Sequence, residues 1–349
     1  MLLLDLKNLT LPQLTDFVRR LELPDYRAGQ IFAWLYRPGV TSFDEMTDIK
    51  KEIRALLAKR ARISRLEPEV IERSTDGTIK YGFRLTDGAM IESVLIPDGE
   101  RHTLCLSSQV GCGMGCSFCL TGTMGFIRNL QPSEIVNQVT AVLEQMRAEG
   151  GEEINNLVFM GMGEPLVNFN NLVDALDILS EQRGLSISGR RITVSTCGIV
   201  PRLKSLGEQT AVNLAVSLHS VDDAVRSRLM PINDVYNVEE LLAACREFPL
   251  PPRRRIMFEY IMIKDLNDSP AAARQLARKL HGIRCKINLL PFNEMAAFPF
   301  QRPAPERIEE FQDILSHAGY TTLIRESRGA DISAACGQLA VKETRCLED

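Results

Sequence analysis

Apolar residues recur at two different periods along this chain, and the switch between them divides it. Between residues 10 and 60, Leu14, Phe17, Val18 and Leu21 fall at helical spacing, followed by Ile31, Phe32, Leu35 and Tyr36, then Ile53, Leu56 and Leu57. Pro24, Pro38 and Gly39 separate these helices, and Arg60, Arg62 and Arg65 form a basic closing edge. From about 66 to 102 the pattern becomes strand-like, and Asp76-Gly77 and Asp87-Gly88 predict hairpin turns. From 103 onward a strand-then-helix unit repeats. Strands are predicted at 154–160, 191–196, 211–218, 255–263 and 285–290, with helices at 132–147, 169–181, 270–281 and 304–317. Pro132 and Ser133 open the first of those helices, and Gly282 and Gly319 end later ones.

Such alternation predicts an α/β fold with a parallel sheet and right-handed crossovers. Six units are too few to close an eight-stranded barrel, so the expectation is an open, partial βα barrel over residues 103–349. It carries a helical accessory domain at 1–65 and a β-hairpin extension at 66–102. Ligands in such a fold lie at the C-terminal ends of the strands.

The chain of 349 residues is 45% hydrophobic and 25% charged, enough for one large domain and a smaller one. No apolar run is long enough to span a membrane, and Met1 to Lys7 has no signal-peptide pattern, so a cytoplasmic protein with no membrane partner is expected. Nine cysteines, odd in number and mostly scattered, suit a reducing compartment. The net charge of −4 is uneven: residues 1–65 hold 12 Lys/Arg against 8 Asp/Glu. That segment is the candidate polyanion-facing part, although a solvated helical face would carry the same charge.

Cys112, Cys116 and Cys119 form Cys-x-x-x-Cys-x-x-Cys in a loop rich in glycine (Gly111, Gly113, Gly115, Gly122, Gly125), so the backbone can aim three thiolates at one centre. Cubane iron–sulfur clusters usually take four cysteines, and three leave one iron open for a small molecule. This is the logic of radical S-adenosylmethionine (SAM) enzymes, whose partial barrel the strand count also suits, and Phe118 before the last cysteine fits it. The rivals are a chance grouping of core cysteines and a zinc site completed by Cys105 or His102; zinc would call for a second pair of ligands, and none is present. At the predicted strand ends lie Gly161-Met162-Gly163-Glu164-Pro165, Ser195-Thr196, Ser217-Leu218-His219 and Pro291-Phe292-Asn293. There the glycines permit close backbone approach, Glu164 suits the methionine ammonium, and Ser195, His219 and Asn293 suit ribose or adenine. Each would also serve as an ordinary turn or cap residue, and their joint placement is what favours a SAM site.

Over nearly its whole length the chain resembles the RlmN/Cfr family of radical SAM RNA methyltransferases. The resemblance rests on Thr103-Leu-Cys-Leu-Ser-Ser-Gln-Val-Gly-Cys, Phe159-Met-Gly-Met-Gly-Glu-Pro, Leu214-Ala-Val-Ser-Leu-His-Ser, Leu229-Met-Pro-Ile-Asn and Asp331-Ile-Ser-Ala-Ala-Cys-Gly-Gln-Leu. Arg27-Ala-Gly-Gln-Ile-Phe-Ala-Trp-Leu-Tyr, Thr41-Ser-Phe-Asp-Glu-Met and Pro165 resemble the RlmN branch, while Cys197 and Glu294 depart from the usual pattern at positions with no assigned role.

The resemblance implies methylation of carbon 2 of an adenosine in 23S ribosomal RNA at the peptidyl-transferase centre, before ribosome assembly is complete, and of a purine beside the anticodon in transfer RNA. Methylation of carbon 8 of the same ribosomal adenosine, as in the Cfr branch, is the alternative. Also implied are a [4Fe-4S] cluster on Cys112, Cys116 and Cys119, two SAM molecules per turnover, an electron donor such as flavodoxin or ferredoxin, and a monomer. SAM would be bound by Gly163, Glu164, Ser195, Ser217, Leu218, His219 and Asn293. Cys336 would carry the methyl group, Cys105 would resolve the RNA adduct through a disulfide with it, and Glu92 would accept a proton. Read alone, Cys336 suits either a mobile reactive loop or a small buried hydrophobe, and Glu92 a strand-surface carboxylate. Cys197, Cys245, Cys285 and Cys346 read as core or surface residues. A methylthiotransferase would need a second cysteine group, which is absent; a non-enzymatic RNA-binding protein with a structural metal would have no use for SAM or Cys336.

Overall fold

The computed structural model describes residues 3–151 and 153–340. Three helices, Leu11–Arg20, Tyr26–Leu35 and Lys51–Arg60, build the N-terminal module, and a short parallel pairing of Leu4–Asp5 with Ala61–Arg62 draws its two ends together. Thr10 starts the first helix in a reciprocal cap with Gln13, and Pro12 follows inside the first turn, where its missing N–H costs nothing. The apolar stripe of Leu14, Phe17, Val18, Ile31, Phe32 and Leu35 is buried and continuous with the core of the rest of the chain. The module is also pinned by polar groups. Buried Lys7 donates its Nζ to Asn137 Oδ1 (2.9 Å) on the helix Pro132–Ala148, Asn137 Nδ2 donates to Ser64 Oγ (2.9 Å), and the Ser133 N–H donates to Asn8 Oδ1 (2.9 Å).

One ten-stranded sheet organises the remainder, and each strand's neighbours in space are its neighbours in sequence within that sheet. Pro68–Arg73, Ile79–Arg84, Met90–Asp98 and Arg101–Cys105 run antiparallel. From Arg101–Cys105 the pairing turns parallel through Asn156–Phe159, Ile192–Thr196, Asn213–Ser217, Ile256–Met262, Cys285–Pro291 and Thr322–Ile324. Helices occupy all six crossovers, so the six units are followed by a seventh, three-residue strand too short to leave a periodic signal. The extension is a continuation of the barrel sheet.

Within the parallel strands burial alternates. Val194, Leu214, Val216, Phe258, Tyr260, Ile287 and Leu289 are sealed under the helices, whereas Ser195, Met257 and Lys286 are only half-buried and line the open interior. Register places interior residues in rows: Ser195, Ala215, Met257 and Lys286 in one, and Ser217, Glu259 and Asn288 in the next toward the strand ends. No helix among the described residues is long and apolar enough to cross a membrane.

Burial lowers the Lys7 ammonium from 10.5 to about 8, against the opposing pull of Asp5. Between those pH values the unfolded chain holds a proton that the folded protein has released, so stability rises with pH across the window. The rise has an upper bound of about 3 kcal/mol. Urea unfolding of wild type and Lys7→Met at pH 8 and 10.5 checks this: the wild type should gain stability relative to the variant, and parallel behaviour would show that Lys7 is not buried as a cation in this joint.

Candidate active site

The cysteine loop is shaped by backbone contacts that only glycine permits. Gly111 has φ +70°, and a Cβ there would lie 2.0 Å from Gly125 O; the Cys112 N–H donates to that same carbonyl (2.9 Å). The Cys119 N–H donates to Cys116 O and the Gly122 N–H to Cys119 O, winding the loop into one turn, while the Ser117 N–H donates to Leu229 O (2.9 Å). Burial pushes the Cys112 thiol up to about 11 and the Cys116 thiol higher still, and neighbouring cysteines of the motif add to both shifts. The thiolates are therefore unstable together without a compensating positive group, which is what an iron–sulfur cluster supplies; the donor set fits one. Among the described residues no three Cys, His, Asp or Glu side chains converge to hold a single metal ion. A cubane does not ask for such convergence, since each cysteine binds a different iron.

The Gly161–Pro165 loop presses against the strand end at Leu106–Gln109. The Met162 N–H donates to Ser107 Oγ (2.9 Å), Ser108 N–H donates to Met162 O (2.8 Å), and the Glu164 N–H donates to Gln109 Oε1 (2.8 Å). Gly163 has φ +99°, and a Cβ there would sit 2.5 Å from Gln109 Cβ. Glu164 is buried and already engaged: Oε2 accepts from the Cys197 N–H (2.7 Å) and Oε1 from the Leu166 N–H (2.9 Å). Burial nonetheless raises its carboxyl, and a bound ammonium would offset that cost. Ser195, Ser217 and Asn293 are half-buried at their strand ends, and Leu218 is fully buried. His219 is held at φ +59°. Its Nδ1 accepts from the Ile261 N–H (3.0 Å), its ring meets Phe118 edge-on at 4.9 Å, and its carbonyl accepts from Asn267 Nδ2 (2.7 Å). Burial first, and then the Arg226 charge, lower this imidazole to about 3, so it is neutral and its remaining Nε2–H is a donor.

Arg226 is the functional group that the sequence reading missed. It is 1% exposed, and its guanidinium ties two neighbouring strand ends to the turn Pro231–Asp234. It donates from Nε to Leu218 O (3.1 Å) and from Nη2 to Cys197 O (2.8 Å) and Ser217 O (3.3 Å), while Nη1 reaches Asn233 Oδ1 (2.9 Å). In sequence it is indistinguishable from Arg228, two residues on; only tertiary packing separates them.

The C-terminal stretch closes the site. The Leu120 N–H donates to Gly337 O (2.8 Å) and Thr121 Oγ1 to Leu339 O (2.6 Å), fixing Cys336 beside the cysteine loop. On its other side Asp331 accepts from Ser74 Oγ (2.6 Å) and the Thr75 N–H (3.1 Å), Gly329 N–H donates to Asp76 Oδ2 (2.9 Å), and Lys80 Nζ donates to Ile332 O (2.7 Å). The turn of the β extension thus clamps residues 329–340. Cys346 lies outside the described residues. The Cys336 side chain is exposed to solvent, yet the surrounding protein, then the Glu259 and Cys119 charges, raise its thiol to about 11. Solvent access is the firmer guide to its reactivity, because water at the sulfur offsets much of that crowding.

Cys105 is buried, and its thiol is raised by burial and by Cys336, within whose electrostatic reach it lies. Both are free thiols and no disulfide joins them. Glu92 is buried, not on a strand surface. Lys80 Nζ is 3.6 Å from its Oε1, its Oε2 has no hydrogen-bond partner among the described residues, and burial raises its carboxyl. Cys197, Cys245 and Cys285 are buried core residues.

An open parallel barrel with three clustered thiols at the C-terminal ends of its strands defines a radical SAM enzyme. Residues 106–277 match the family model described as the radical SAM superfamily. The crystal structure of a radical SAM methyltransferase from Sphaerobacter thermophilus aligns with TM-score 0.90 at 46% identity, covering 97% of this chain and 100% of that one. Residues 4–63 match the N-terminal domain of ribosomal RNA large subunit methyltransferases. Relatives named dual-specificity RNA methyltransferase RlmN are 54% identical over 347 residues in Desulfotalea psychrophila (98% of this chain, 96% of the relative) and 52% identical over 340 residues in Geobacter sulfurreducens (97% and 93%). With its accessory domain and barrel both matched, this SAM-dependent methyltransferase belongs to the RlmN family.

Arg226→Lys should expose what the guanidinium does. A lysine cannot bridge the carbonyls of two strand ends and Asn233 at once, so the variant should lose about 2–4 kcal/mol of stability and bind SAM more weakly. Thermal unfolding with and without SAM measures both; an unchanged melting temperature would show that the strand ends hold themselves.

Proposed function

We propose that the protein methylates carbon 2 of an adenosine in 23S ribosomal RNA and of an adenosine beside the anticodon in transfer RNA, through an S-methylcysteine on Cys336. The observation that carries this reading is that Cys336 lies beside the cysteine loop and within electrostatic reach of both Cys119 and Cys105. Carbon 2 lies between two ring nitrogens and is electron-poor, so it does not attack a SAM methyl group as a nucleophile; a carbon radical delivered to it is the chemical alternative.

Cys112, Cys116 and Cys119 would hold a [4Fe-4S] cluster, which would supply an open coordination position for SAM and, with an electron drawn from a flavodoxin or ferredoxin, the means of its reductive cleavage. Glu164 would take the methionine ammonium, Gly163 would let the backbone approach it, and Ser195, Ser217, Leu218, His219 and Asn293 would line the nucleoside. Cys336 takes a methyl group from a first SAM: its sulfur forms the new bond, the thiol proton is lost, and S-adenosylhomocysteine leaves. Loss of a hydrogen atom from that methyl group, during cleavage of a second SAM, turns it into a methylene radical that adds to carbon 2. The adduct would then give up its carbon-2 proton, for which Glu92, buried with an unpartnered oxygen, is the acceptor, and one electron, for which the cluster left oxidised by SAM cleavage would be the acceptor. Cys105 attacks the Cys336 sulfur; a disulfide forms, the RNA carbon leaves, and protonation completes the methyl group. The disulfide is a transient of turnover and must be reduced before the next cycle. The basic module at 1–65 supplies backbone contacts to RNA, and the protein acts as a cytoplasmic monomer.

The two thiols have different duties, and variants separate them. Cys336→Ala should keep iron and sulfide but give no methylated protein and no RNA product. Cys105→Ala should still methylate Cys336 and add to RNA, then stall with RNA covalently attached, visible as a species on denaturing gels that ribonuclease collapses. The double variant should carry no RNA. Normal turnover by Cys105→Ala, or attached RNA in the absence of Cys336, would contradict the mechanism.

A further inference from the structure

Inside the barrel, beside the residues expected to hold SAM, two buried polar side chains face each other. Glu259 and Asn288 are each 5% exposed and stand opposite one another in register on adjacent strands, next to Ser217 in the same interior row. Asn288 Nδ2 donates to Glu259 Oε1 (2.9 Å) and also contacts Met257 Sδ (2.8 Å), so both its donor hydrogens are committed. Asn288 Oδ1 is buried with no partner among the described residues. Glu259 Oε2 receives no hydrogen bond among them either. Burial accordingly raises this carboxyl to about 7, with Arg325 and Lys286 pulling the other way.

A buried acceptor without a partner, as Asn288 Oδ1 is, is costly, and a ligand group carrying two N–H donors and no acceptor would satisfy it together with Glu259 Oε2, which no protein donor engages among the described residues. The position is pointed. The Glu259 carbonyl accepts from the Leu218 and His219 N–H groups of the proposed SAM-lining loop (3.0 and 3.3 Å). Its carboxylate lies within electrostatic reach of Cys336. The pair therefore stands between the nucleoside end of the site and the methyl-carrying sulfur.

We propose that Asn288 and Glu259 form a reader of the 6-amino group of an adenine, Asn288 Oδ1 taking one N–H and Glu259 Oε2 the other. The inference rests on the proposed adenosine chemistry and names the residues that select the base. A carbonyl at carbon 6, as in a hypoxanthine base, would place an oxygen against two oxygens and be rejected; a hydrogen there would leave both acceptors unpaired. The same edge is presented by the target adenosine and by the adenine of SAM, and the test separates the two sources.

The experiment uses the full enzyme with cluster and SAM, and RNA substrates carrying adenosine, inosine or purine riboside at the target position. Wild type should methylate adenosine with kcat/KM roughly 10–100-fold above either analogue. In Asn288→Ala and in the shape-conserving Glu259→Gln, that preference should shrink, while S-methylation of Cys336, read by peptide mass spectrometry, persists. In a parallel arm, binding of SAM is compared with its 6-carbonyl analogue. Lost discrimination in the RNA arm alone assigns the pair to the target base, and in the SAM arm alone to SAM; either supports the reader. Discrimination unchanged in both arms, with Cys336 still methylated, overturns it. Wild-type enzyme that methylates no RNA at all would instead sink the proposed function, and the SAM arm would still decide the reader.

Discussion

The site depends on holding two distant pieces of chain against each other: the cysteine loop near residue 116 and the terminal stretch near residue 336. The hydrogen bonds from Leu120 and Thr121 to the carbonyls of Gly337 and Leu339 make that junction. The cysteine loop carries only the four-residue helix Leu120–Thr123 and the terminal stretch only the three-residue 3-10 turn Ala330–Ile332, and each is braced from behind. The cysteine loop leans on Leu229 O through Ser117, and the terminal stretch is gripped by the 74–80 turn and strand through Asp331, Gly329 and Ile332. The β extension thus has a mechanical purpose. By continuing the barrel sheet past Arg101–Cys105, it carries a turn round to where the stretch bearing Cys336 is held.

Electrostatics at the strand ends follows from burial. Glu164, His219, Arg226 and Glu259 are all removed from water, and each is shifted toward its neutral form. Arg226 remains the cation of the group, because carbonyl dipoles from Cys197, Ser217 and Leu218 replace its hydration. Its charge helps keep His219 neutral and lies near Cys116, where it favours the thiolate that a cluster needs. A site of this kind binds a zwitterion well: its positive and negative groups are fixed before the ligand arrives.

Much of this was legible in the sequence, for reasons that can be named. Strands such as 192–196 and 285–291 are short runs of β-branched and aliphatic residues broken by single polar ones and bounded by turns, and their helices begin and end on recognisable residues. Polar residues at strand ends identified the loops because topology alone assigns those ends to ligand binding. Four features were hidden. Thr322–Ile324 is too short for a period to register, and the junction of extension and barrel is a matter of pairing partners that no local pattern encodes. Arg226, Glu259 and Asn288 read as ordinary helix or strand polar residues; burial gives them their roles, and burial of a charge is a tertiary fact. The order of residues 329–340 was equally invisible, since it comes from Ser74 to Lys80 some 250 positions away.

The central claim is that the methyl group reaches RNA by way of Cys336. The most direct measurement is a single-turnover chase: enzyme is methylated on Cys336 with trideuteromethyl SAM, freed of excess, then given RNA, reductant and unlabelled SAM. The account predicts that the first methyl group found in RNA carries deuterium, with one deuterium replaced by hydrogen from solvent. A first-turnover RNA methyl group without deuterium, with the label still on Cys336, would contradict it.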